Sequence, residues 1–96
     1  MTSLLAMPDL KAQPHSILRV TAELTARKRA AGGVIARAVS LSDAQTSRIL
    51  TALCENGFAT VVMDATDRRK RLFAITQEGR DELAAEVAKL TPEVAP

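Results

Sequence analysis

The apolar residues change their repeat at Asn56-Gly57, and this change limits the possible folds more than any other feature of the chain. Before it, apolar side chains recur at three- and four-residue intervals, the spacing of helices with one buried face. After it come two apolar, β-branched runs, Phe58 to Met63 and Arg71 to Ile75. Between them lies the polar stretch Asp64-Ala65-Thr66-Asp67-Arg68-Arg69-Lys70. Two short strands around a charged tip predict a β-hairpin.

Upstream of the change the pattern resolves into three helices. Pro14 suits a helix start, because its missing N–H would be unpaired there anyway. Ile17, Val20, Thr21 and Leu24 follow on one face, and the helix fades into the cations Arg27-Lys28-Arg29, which suit a helix C-terminus. After Gly32-Gly33 a short second helix carries Val34, Ile35, Ala38 and Val39. The turn Ser40-Leu41-Ser42 leads into a third helix over residues 43–55, opened by a Ser42-x-x-Gln45 capping box and stopped by Asn56-Gly57. This helix places Thr46, Ile49, Leu50 and Leu53 inward and Ala44, Gln45, Ser47, Arg48 and Thr51 outward. Beyond the hairpin, Thr76 can cap a last helix bearing the stripe Leu83, Val87 and Leu90, which Pro92 and Pro96 bring to an end. Two helices joined by a tight turn and followed by a hairpin make a winged helix-turn-helix. The expected fold is therefore mainly α (α+β): a three-helix core, a two-stranded β-hairpin wing and a C-terminal helix. The expected divisions are a loose leader over 1–13, the domain over 14–90 and a frayed tail over 91–96.

Charge distribution says more than the net value of +2. Residues 1–76 hold 11 basic and 6 acidic side chains, and the remainder hold 2 and 5. A basic front with an acidic back is the shape of a polyanion binder. With two Phe and neither Trp nor Tyr, the chain lacks the stacking platform that single-stranded nucleic acid requires. Double-stranded RNA is disfavoured because its narrow major groove excludes a helix. Double-stranded DNA fits both projecting elements. Gln45 can bond an adenine edge and Arg48 a guanine edge, while Ser47 and Thr51, with the small Ala44, face bases or phosphates. At the wing over residues 64–71, one arginine can enter the minor groove, and the two-residue period favours Arg69. Arg68, Lys70 and Arg71 then contact phosphates or pair with the tip carboxylates, and Asp67 pairs with an arginine and sets its direction.

The run DATDRRKRLFAITQEGRDEL resembles the wing and following helix of the MarR family (multiple-antibiotic-resistance regulators), in which an Asp-x-Arg wing precedes Leu-Thr-x-x-Gly. Asp67 and Arg69 match the first element. Ile75, Thr76 and Gly79 match the second, with Ile in place of Leu. Upstream, LSDAQTSRILTALCENGF is similar to that family's recognition helix, with Ser47-Arg48, Leu53 and Gly57 in register. The resemblance spans roughly residues 17–90. It implies a DNA-binding regulator with Ser47 and Arg48 in the major groove and Arg69 in the minor groove, usually a homodimer and often with a small phenolic or lipophilic effector. Family dimers use a long N-terminal helix and two C-terminal helices. This chain shows a short leader and one such helix, so no effector is expected. Ser40 stands where the family often has Gly.

Other features point away from chemistry. Cys54 excludes an internal disulfide and fits a packing role on the last turn of the third helix. His15 lacks metal-binding partners. Asp81, Glu82 and Glu86 have no neighbouring base or nucleophile, so the expectation is no enzyme and no cofactor. The apolar stretch Leu4 to Met7 is too short for a signal peptide, which gives the cytoplasm as the expected compartment. The function expected is a sequence-specific duplex DNA-binding transcriptional regulator, a repressor, working as a homodimer. The alternative is a winged-helix adaptor or antirepressor that binds a protein partner and does not itself read DNA.

Overall fold

The computed structural model describes residues 3–7, 10–67 and 69–90. The expected tail over 91–96 and Arg68 lie outside the described residues. Helix α1 spans Pro14–Arg27, α2 Gly32–Val39, α3 Asp43–Glu55 and α4 Gln77–Leu90, with strands β1 at Arg29–Ala30, β2 at Ala59–Met63 and β3 at Arg71–Ile75. This is the expected helix-turn-helix, wing and final helix, mainly helical with an antiparallel sheet.

The apolar faces meet as the periodicity requires. Ile17, Val20, Thr21 and Leu24 of α1 and Thr46, Ile49, Leu50 and Leu53 of α3 are all buried. Thr21 is buried cheaply, because its hydroxyl donates to the Ile17 carbonyl at 2.7 Å. In α2, Ile35 and Val39 are buried with Ala36, while Val34 and Ala38 face solvent. Leu83 of α4 packs against the core, whereas Leu90, on the same expected stripe, is 66% exposed. Among the described residues no helix is long and apolar enough to cross a membrane.

Two features differ from expectation. The sheet has three strands in the order β1-β3-β2, not two. Lys28 leaves α1 with φ 68° and ψ −51°, which turns the chain so that Arg29 pairs with Ala74 and Ala30 with Phe73. A two-residue strand has no period to read, so Arg27-Lys28-Arg29 resembles a helix end along its whole length. Of the leader, expected to be loose, the described residues include several that pack on the domain. A 3₁₀ turn at Leu4–Ala6 packs on α1 and α4, with Leu4 fully buried and Met7 6% exposed. Leu10 and Ala12 add partly buried contacts to the same core. The physical reason is the small size of the core, which leaves apolar surface on α1 and α4 that these side chains cover.

Candidate nucleic-acid interface

Helix α3 owes its position to both of its ends. At the start, the Ser42 hydroxyl accepts the Gln45 N–H at 3.1 Å, and Gln45 Oε1 accepts the Ser42 N–H at 3.3 Å. The capping box is complete. At the far end, Gly57 takes φ 80°, and the Phe58 N–H reaches the Leu53 carbonyl at 2.9 Å while the Gly57 N–H reaches the Cys54 carbonyl at 3.2 Å. Those two bonds make a Schellman stop. The Thr76 hydroxyl then donates to the Gly57 carbonyl at 2.7 Å and accepts the Gly79 N–H at 3.1 Å. One side chain thus joins the end of α3 to the beginning of α4.

Between these ends, Ala44, Gln45, Ser47, Arg48 and Thr51 are all exposed, and the structure places them on one face of α3 opposite the core. The side-chain carbonyl of Gln45 is already engaged, since it also accepts the Ser42 hydroxyl at 3.1 Å. Bidentate bonding to an adenine would use that same oxygen, so Gln45 would exchange its cap for the base. Among the described residues Arg48 has no such competing bond.

The wing tip is shaped by its carboxylates. Asp64 accepts the backbone N–H and the hydroxyl of Thr66, each at 2.8 Å. The backbone bond and then the hydroxyl bond of Thr66 hold the Asp64 carboxyl below its usual range. Asp67 accepts the backbone N–H of Arg69 at 3.0 Å, and the Lys70 N–H donates to the Asp67 carbonyl at 3.1 Å. Asp67 therefore acts on the backbone that carries Arg69. Arg69, Lys70 and Arg71 are exposed. Among the described residues the ion pairs are Glu23–Arg27 and Glu86–Lys89, and neither uses Arg48 or a wing cation.

The sequence gives little notice of what borders this face. Two clefts flank Arg48, of about 450 and about 330 Å³. The leader residues Leu10 and Lys11 line both. The alternation of Leu10, Lys11 and Ala12 is the one available signal, and it is too short to stand out in a segment expected to be loose. Burial pushes the Cys54 thiol up, with Arg71 partly opposing, which is the wrong direction for a reactive cysteine. The described residues hold no cluster of three or more His, Cys, Asp or Glu side chains placed for a metal.

The chain matches no protein-family model and no curated protein by sequence. Solved structures do match. A MarR family transcriptional regulator from Silicibacter pomeroyi is 28% identical with a TM-score of 0.68, over 86% of this chain and 60% of that one. A mutant of S. aureus MepR bound to an oligodeoxyribonucleotide is 19% identical with a TM-score of 0.72, over 78% of this chain and 56% of that one. The adhesin competence repressor AdcR from Streptococcus pyogenes is 16% identical with a TM-score of 0.70, over 85% and 60%. The chain spans 60% or less of each of these three proteins. With its helix-turn-helix, its wing and the Thr76-capped helix beyond it, the chain has a MarR-like winged helix-turn-helix fold.

Proposed function

We propose that the chain is a sequence-specific duplex DNA-binding transcriptional regulator, acting in the cytoplasm as a repressor. Helix α3 lies in the major groove and the wing over 64–71 meets the minor groove. The observation that carries this reading is the exposed row Gln45, Ser47, Arg48 and Thr51 on a helix whose opposite face is wholly committed to the core. Arg48 reads a guanine edge, Arg69 enters the minor groove, and Lys70 and Arg71 hold phosphates, with Arg68 assigned to the same role. The fold it shares with the MepR mutant bound to an oligodeoxyribonucleotide supports the same reading. A single domain makes few base contacts, so two copies acting on a repeated half-site supply the specificity.

The test is titration of the chain against its own upstream region and against random duplex at two salt concentrations. Preferential binding that weakens steeply with salt is the expected result. Arg48→Ala should cost about 1–3 kcal/mol on the preferred fragment and relax base preference. An Arg48→Ala chain that discriminates like wild type would sink the docking. Absence of binding to either duplex at low salt would favour a protein-binding adaptor instead.

A further inference from the structure

We infer that Lys11, in the segment that precedes α1, is a DNA-phosphate contact built into the flank of the recognition helix. The inference rests on the reading of α3 as the DNA-facing helix and adds a residue to that interface. Three observations carry it. Lys11 is exposed while Leu10 and Ala12 on either side pack against the core, which holds this point of the chain against the domain and leaves Lys11 at the surface. Lys11 borders both clefts beside Arg48, one shared with Gln45 and the other with Ser47, Thr51 and, at the far end of the helix, Glu55. The start of α1 opens onto the first of these clefts through Gln13 and Ser16, with no side-chain cap and no acidic residue in its first turn. A helix seated in the major groove has a phosphate backbone along its flank, within reach of whatever lies beside it. Here that neighbour is a cation on a segment packed against the core. The ligand class is the phosphodiester of duplex DNA, taken without regard to base.

This role predicts behaviour unlike that of a base-reading or packing residue. The full chain, its Lys11→Ala variant and its Lys11→Arg variant are titrated across a salt series against two duplexes. One duplex is a sequence that the wild-type chain selects from a random pool, and the other is of random sequence. Lys11→Ala should weaken binding to both duplexes by the same factor and flatten the slope of log K against log salt by about 0.9 per bound chain. Lys11→Arg should restore both quantities, which a purely structural role would not require. A Lys11→Ala chain with the wild-type slope overturns the inference and leaves the proposed function standing. So does a loss confined to the selected sequence, which would make Lys11 a base reader. A wild-type chain without salt-dependent duplex binding overturns both readings together.

Discussion

Ser40 sits at φ 58° and ψ 41°, in the left-handed region where a Cβ crowds the following carbonyl oxygen. The turn between α2 and α3 needs that conformation to bring the Leu41 N–H back to the Ala36 carbonyl at 3.0 Å. Glycine adopts it freely but gives up more freedom on folding, so the two effects partly offset. Ser40→Gly should stabilise the chain by about 0.5–1 kcal/mol, read as a higher urea midpoint at unchanged slope. A midpoint that falls would mean the serine is worth more to the turn than its strain costs. The sequence marks residues 40–42 as a turn plainly. Which of the three takes the positive φ is not legible, because Ser is a common turn former in several geometries.

The joint between α3 and α4 depends on a close approach. A Cβ at Gly79 would run into the Phe58 carbonyl and lie 2.6 Å from Ile75 Cδ1. Replacing a helical glycine with alanine normally gains about 1 kcal/mol. Here overpacking outweighs propensity, and Gly79→Ala should destabilise by about 1–3 kcal/mol in denaturant unfolding. A gain in stability would show that α4 can slide outward at little cost. Long periodic segments are legible: the four helices, the capping box, the Gly57 stop and both wing strands lie where spacing and turn chemistry put them. The two-residue β1 and the packing of the leader residues are not, since each depends on partners far away in sequence. The exposed face of α3 is legible for the same reason as its buried face. The bordering Lys11 is not, because its place depends on how the segment before α1 folds back.

The balance of charge between the two ends of the chain follows the architecture. The cations of residues 1–76 belong mostly to the helix-turn-helix and the wing, while α4 carries most of the acidic excess. The attraction for a polyanion therefore lies with the elements before α4, even though the net charge is only +2. The packed leader residues border those elements, with Leu4 and Met7 filling what would otherwise be exposed apolar surface on α1 and α4.

The strand order β1-β3-β2 carries a consequence for colloidal behaviour. β3 is paired on both sides, by β1 and β2, and among the described residues β2 keeps an open edge, with Val61 38% and Met63 53% exposed. An apolar open edge invites pairing with the same edge of another molecule. The cations at the end of that hairpin repel their counterparts on an approaching copy, so they also act as gatekeepers. Salt screens this repulsion over about 8–10 Å at physiological strength and over about 3 Å at 1 M. Light scattering should therefore rise with salt for the free chain, whereas replacing Arg69 and Lys70 by Ala should raise it already at low salt and leave it less dependent on salt. Scattering that stays low in both would mean that the edge is guarded by its own twist. The brine that loosens the chain's grip on a duplex would, on this account, also make it stick to itself.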